Sequence, residues 1–233
     1  MLFKSLKPFF SLALLGAISS PFLNAKPHNF AEAKLALSKF YAKHQDLDET
    51  FYCHAPFKAI HKGKKISFEI IASNRYSPRH ASTKKGKTNK RAWRVEWEHL
   101  MPAENFGKHL PCWREGGRKA CQKDPTFREM EADLHNLVPS IGEVNGDRNN
   151  YKYAESPKDM RYTQYGNCQV YTDFKNKRFY PANYSKGQIA RAELYMSKTY
   201  HINLGKAELK LMQAWDKMYP KTKAEKEREE LFQ

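Results

Sequence analysis

Residues 95–102 read Val95-Glu96-Trp97-Glu98-His99-Leu100-Met101-Pro102, and residues 137–149 read Leu137-Val138-Pro139-Ser140-Ile141-Gly142-Glu143-Val144-Asn145-Gly146-Asp147-Arg148-Asn149. The alternation from Trp93 to Leu100 predicts a strand that stops before Pro102. Within 134–150 the pattern predicts a helix opened by Pro139, whose missing N–H is harmless in a first helical turn. Leu137, Val138, Ile141 and Val144 form its apolar stripe. A strand and a helix of this kind offer Glu96, Glu98, His99 and Asn145 as the candidate chemical groups.

These residue types point to one chemistry. Hydrolysis of a phosphodiester needs a base for the attacking water and positive charge on the phosphate. His99 has the side chain suited to the first task near neutral pH. Glu98 and Asn145 supply oxygen donors, which fit Mg²⁺ or Ca²⁺ better than a thiophilic metal. Successive residues on a regular strand face opposite ways, so Glu98 and His99 share a site only if the strand ends near Glu98 and the chain turns. Pro102 supports such a turn. Taken singly, a Glu-His pair is common on surfaces, and Asn145-Gly146 reads as a helix end or turn.

The flanks predict a single α+β domain with a small sheet and several helices. Residues 29–44 place Phe30, Ala33, Leu37, Phe40 and Tyr41 on one helical face. Residues 65–72, rich in Ile and Phe, predict a strand. Two more helices are expected near 186–200, with Ile189, Ala192 and Met196 inward, and near 206–218, with Leu211, Trp215 and Met218 inward. Residues 221–230 are almost wholly charged and predict a frayed, solvated helix. His54, His61, His80, His109 and His201 have no evident partners and are read as surface or packing residues.

Charge and cysteines bound the setting. The chain carries a formal charge of +16. Residues 1–25 have the grammar of a secretory signal: Lys4 and Lys7, an apolar stretch over 8–18, then small residues. That stretch falls short of the roughly 20 residues that span a bilayer. Removing it leaves a domain over 26–233, its last residues a charged tail, with a charge of +14. So basic a chain attracts polyanions. Residues 75–94 hold eight Lys or Arg and no acid, and Lys84, Lys85, Lys87 and Arg91 are candidates to track a phosphate backbone. Cys53, Cys112, Cys121 and Cys168 contain no CxxC, which argues against a zinc ribbon or a thioredoxin-type site. Export and an even count predict two disulfides, with three possible connectivities. Cys112 and Cys121 flank Gly116-Gly117, which favours a local bridge and leaves Cys53 for Cys168.

Longer motifs carry a resemblance. Residues 96–107 (Glu96-Trp97-Glu98-His99-Leu100-Met101-Pro102-Ala103-Glu104-Asn105-Phe106-Gly107), Gly116-Gly117-Arg118-Lys119, residues 130–139 beginning Met130-Glu131-Ala132-Asp133-Leu134-His135, residues 141–150 and Gln164-Tyr165-Gly166-Asn167-Cys168 resemble the bacterial endonuclease I family across essentially the whole mature chain. The resemblance implies a ββα-metal site in which a strand presents the histidine and the following helix the asparagine. His99 then corresponds to the general base, Glu98 and Asn145 to the ligands of one Mg²⁺ (Ca²⁺ or Mn²⁺ as substitutes), and Arg118 to the arginine on the scissile phosphate. Glu96 and Glu131 correspond to supporting acids. The chain departs from the family where Cys53 is followed by His54-Ala55 instead of a nearby second cysteine, and its four cysteines are few for the group.

The expectation is an exported monomer, periplasmic or extracellular, that cuts DNA, with RNA as a second candidate, irrespective of sequence and leaves 5′-phosphate ends. No membrane partner and no cofactor beyond the metal are expected. The competing expectation is a secreted basic protein that binds nucleic acid without cutting it.

Overall fold

Residue 30 opens the first helix because Asn29 caps it. The Asn29 side chain accepts from the Glu32 amide at 3.0 Å, and the Glu32 carboxylate accepts in return from the His28 amide at 2.8 Å, so one amide of the first helical turn and one just before the cap find partners. The computed structural model describes residues 26–229; the expected signal segment 1–25 and the last four residues of the charged tail lie outside them. Helix α1 (Phe30–Lys43) buries Ala33, Leu37, Phe40 and Tyr41, the face expected from their spacing. It packs on the hairpin of β1 (Phe57–Lys62) and β2 (Lys65–Ile70), whose two-residue turn begins at Gly63 with φ 58°. The basic stretch that follows is mostly irregular and ends in a short 3₁₀ turn, Lys90–Trp93. Strand β3 (Val95–His99) therefore starts later than the alternation predicts.

Three helices follow: α2 (Ala103–Gly107), α3 (Pro111–Cys121) and α4 (Pro125–Ala132). The chain then returns as β4 (Leu137–Ile141), antiparallel to β3 with Trp97 opposite Pro139, and runs directly into α5 (Gly142–Arg148). Here an expectation fails: Pro139 does not open the helix but sits inside β4. The Pro139 carbonyl accepts from the Phe51 amide at 2.8 Å. Carbonyl and nitrogen of one strand residue point the same way, so the proline nitrogen also faces away from β3. Its missing N–H removes no bond from the β3–β4 ladder. Gly146 is likewise helix interior and not a cap; the helix ends at Asn149, with φ 54° and ψ −130°.

A three-stranded sheet comes next, β5 (Lys152–Tyr153), β6 (Tyr171–Asp173) and β7 (Arg178–Tyr180), in the order β5-β7-β6. Helices α6 (Asn183–Thr199), α7 (Lys206–Met218) and α8 (Lys223–Arg228) close the fold. Ile189 and Ala192 of α6 join the main core, while Met196 of the same helix joins a second cluster with Phe106, Phe127 and Met130. One helix thus spans both clusters and unites them in a single α+β domain. In α7 the inward face is Met212 and Trp215, not Met218, which is 65% exposed. The charged tail is also more than a solvated helix. Glu225 and Arg228 are buried; Glu225 takes both arms of Arg191 at 2.6 Å, and Arg228 donates to the Leu137 carbonyl. Composition alone hides this, because ion pairs and a backbone acceptor replace apolar contacts.

Both disulfides form as expected, Cys53–Cys168 and Cys112–Cys121, and no described cysteine is free. No helix among the described residues is long and apolar enough to cross a membrane.

Candidate active site

A cleft of about 810 Å³ runs beside β3, and every residue from Val95 to His99 borders it. Successive strand residues alternate sides, so residues from both faces of β3 reach the cleft. That resolves the conflict over alternation. Glu98 and His99 are consecutive strand residues, the strand runs through His99, and both still line the same cleft. The chain turns at Pro102 into α2.

His99 is buried between Phe30, at 4.9 Å between ring centroids, and Phe106, at 5.9 Å. Its Nε2 lies 2.9 Å from the Glu131 carbonyl oxygen. A carbonyl only accepts, so Nε2 carries the hydrogen and Nδ1 keeps the lone pair. Burial, followed by the positive charge of Arg118, lowers the ring's pKa to about 3. The imidazole is therefore neutral around neutral pH.

Arg118 owes its place to a break in α3. Gly117 takes φ 60°, a left-handed value costly for other residues, and the helix restarts at Arg118 inside the Cys112–Cys121 loop. The Arg118 Nε donates to Glu131 Oε1 at 2.6 Å, and its guanidinium carbon lies 5.4 Å from the Phe30 ring. Glu131 thus holds Arg118 with its carboxylate and His99 with its carbonyl.

On the opposite wall α5 presents Asn145. Its Nδ2 donates to Glu96 Oε2 at 3.4 Å, and its Oδ1 accepts no hydrogen bond from a described residue. Glu96 is anchored in turn by Arg91, at 3.0 and 2.7 Å, and Arg94, at 2.9 and 2.5 Å. Gly146 lets Arg91 lie flat on α5, since a β-carbon there would come within 2.5 Å of Nη1. Glu98 is 4% exposed; its Oε1 accepts from Tyr52 at 3.1 Å and faces Arg148 Nη1 at 3.2 Å. Burial pushes its carboxyl up to about 7 against the pull of Arg148.

Six expected residues therefore meet at one place: Glu96, Glu98, His99, Arg118 and Asn145 border the cleft, and Glu131 braces two of them from behind. Arg91 also lines it. Lys84, Lys85 and Lys87 do not. They stand exposed on a loop closed by the Ser82–Thr88 bridge. Sequence reasoning gave no role to Tyr52 or Arg148, placed Arg94 only within the basic stretch 75–94, and read Phe30 only as core. Arg148 stands within the quoted helix segment, yet no spacing rule aims it back at β3. Tyr52 lies 46 residues before Glu98 and carries no local signal.

Among the described residues no three His, Cys, Asp or Glu side chains cluster so as to hold an ion alone. The donors that fit one are the second oxygen of Glu98, which accepts no hydrogen bond from a described residue and is not among the sealed, unpaired atoms, and Asn145 Oδ1. One carboxylate and one amide oxygen match a hard divalent ion that keeps most of its water shell.

Comparison with known proteins places the chain among nucleases by similarity. Residues 29–233 match the family model described as Endonuclease I. A periplasmic deoxyribonuclease of Aeromonas hydrophila is 43% identical over 222 residues, 95% of this chain and 87% of that protein. An extracellular deoxyribonuclease of the same organism is 44% identical, covering 92% and 87%. Endonuclease-1 of Buchnera aphidicola subsp. Acyrthosiphon pisum is 42% identical, covering 88% and 76%. With a match of this extent, the chain belongs to the Endonuclease I family.

Proposed function

We propose that the protein is an exported endonuclease, periplasmic or extracellular, that hydrolyses the phosphodiester backbone of DNA at His99 with one divalent cation. The observation that carries this is the His99 ring: neutral, tethered through Nε2, and bordering a cleft beside an arginine and two unused oxygen donors. In this reading Nδ1 takes a proton from the attacking water as the new P–O bond forms. The P–O3′ bond breaks, the leaving 3′ oxygen takes a proton from solvent, and a 5′-phosphate remains. Arg118, held by Glu131, neutralises charge growing on the phosphate. Glu98 and Asn145 hold the cation, Mg²⁺ with Ca²⁺ or Mn²⁺ as substitutes, and when bound it supplies further positive charge to the phosphoryl group. Lys34, Arg91 and Arg94 also border the cleft and contact backbone phosphate, which carries no base identity, so cutting is indifferent to sequence. The same contacts admit RNA, and the active unit is the monomer.

The relatives' names as periplasmic and extracellular deoxyribonucleases support the substrate and the compartment, as do two disulfides. The test is incubation of the mature protein with supercoiled plasmid, and in parallel with single-stranded RNA, in Mg²⁺ with and without EDTA. Nicking that EDTA abolishes is the expected result. Plasmid that is shifted on a gel but never cut in any divalent ion would establish the non-catalytic binder instead.

A further inference from the structure

The buried surroundings of Glu98 do more than tolerate a carboxylate. Tyr52 has one hydroxyl hydrogen and gives it to Glu98 Oε1, so the Tyr153 hydroxyl, 2.7 Å away, donates to Tyr52. The backbone of Tyr52 is itself fixed. Its carbonyl accepts from Tyr184 at 2.7 Å, and the next residue, Cys53, is bridged to Cys168. Arg148 is 1% exposed, and its guanidinium rests 4.4 Å from the Tyr153 ring. Its Nη1 donates to the His99 carbonyl at 3.0 Å and its Nη2 to the Leu100 carbonyl at 2.5 Å, while Nη1 also faces Glu98 Oε1. A planar fork holds these acceptors in one rigid arrangement, whereas the three donors of an ammonium sit on a flexible stem and rotate.

Two consequences combine. Among the described residues both polar contacts of the carboxylate fall on Oε1, which leaves Oε2 open. Arg148 also stands on α5, three residues after Asn145, so one guanidinium sets the helix that carries one oxygen donor against the strand end that carries the other. We infer that Tyr52 and Arg148 are positioning residues that hold Glu98 by Oε1 and dedicate its Oε2, in register with Asn145, to the cation. The inference rests on Glu98 being a ligand, as proposed above.

The test measures Mn²⁺ binding by calorimetry to the mature protein carrying His99→Ala, so that no turnover intervenes, with a melting curve for every variant. Tyr52→Phe removes only the hydroxyl. Arg148→Lys keeps the charge and loses the fork. Each is expected to weaken Mn²⁺ binding by about 10- to 100-fold, the usual effect of losing a group that orients a metal ligand. Glu98→Gln separates the two levels of the reading. If Glu98→Gln weakens binding while Tyr52→Phe binds Mn²⁺ as the parent does, the positioning role is overturned and the ligand stands. If Glu98→Gln itself leaves binding unchanged, the ligand assignment fails first. A lower melting temperature with parental affinity in Tyr52→Phe makes the network structural only and overturns the inference. Should Arg148→Lys not fold, Tyr52→Phe decides alone.

Discussion

Replacing His99 by alanine removes the proposed base and leaves a cavity of known chemistry. Its walls are Phe30 and Phe106, and at one end the Glu131 carbonyl loses the hydrogen bond it took from Nε2. A positioned general base contributes about 10²- to 10⁴-fold to rate, equivalent to about 2.7–5.5 kcal/mol of barrier. Ground-state affinity depends on the cationic rim instead, so DNA binding is expected to survive nearly intact. The assay is single-turnover plasmid cleavage beside an anisotropy measurement of binding to a labelled duplex. The cavity also predicts rescue. Imidazole placed there can donate to the Glu131 carbonyl and present its other nitrogen to the cleft, restoring part of the rate in a saturable way. N-methylimidazole has no N–H for that carbonyl and is expected to rescue less. Cleavage by His99→Ala within about tenfold of wild type would refute the assignment of the base. Equal rescue by both imidazoles would refute the role given to the Glu131 carbonyl.

Four other outcomes follow from the same geometry. Asn145→Ala should raise the Mg²⁺ concentration for half-maximal rate, whereas Asn145→Asp keeps an oxygen donor, adds charge and should retain metal binding; unchanged half-saturation in both would remove Asn145 from the site. Changing Lys84, Lys85 and Lys87 together to alanine tests a loop that lies outside the cleft: a shallower slope of log affinity against log salt places it on the backbone, and an unchanged slope leaves it solvated. Loss of Cys53–Cys168, 115 residues apart, should cost about 5 kcal/mol by loop entropy, against about 2.7 for Cys112–Cys121, nine apart; calorimetry on the two double-alanine variants that reverses this order would count against an entropic origin. Glu193, fully buried with Oε2 unpaired, has its carboxyl raised to about 8 by burial. The folded state then binds a proton that the unfolded chain releases from pH 4.5 upward, so this group's contribution to stability falls as pH rises through 8. The melting temperature of Glu193→Gln relative to wild type should therefore climb between pH 5 and pH 8, and a difference flat with pH would disprove it.

Sequence by itself determined what is local or strongly patterned. The amphipathic face of α1, a strand within Trp93 to Leu100, helices α6 and α7, the Cys112–Cys121 bridge beside a glycine pair, and the candidate groups His99, Glu98, Arg118 and Asn145 that border one cleft were all legible, because each shows in a short run of residues or in a recognisable motif. What failed were cases where a distant partner overrides a local preference. Pro139 reads as a helix opener, but Phe51 takes its carbonyl and β3 never needs its nitrogen. Met218 carries an apolar side chain yet lies past the contact that Met212 and Trp215 make. Glu225 and Arg228 look solvated, and Arg191 and the Leu137 carbonyl bury them. The support of the site belongs to this second class. Tyr52 reaches Glu98 across 46 residues and Arg148 reaches the His99 carbonyl across 49, and such pairings depend on how whole elements dock. A side chain's chemistry is written in its own residue, but the direction it faces and the atom it leaves free are set by packing, so only the tertiary structure decided which oxygen of Glu98 and which nitrogen of His99 are engaged in hydrogen bonds and which are not.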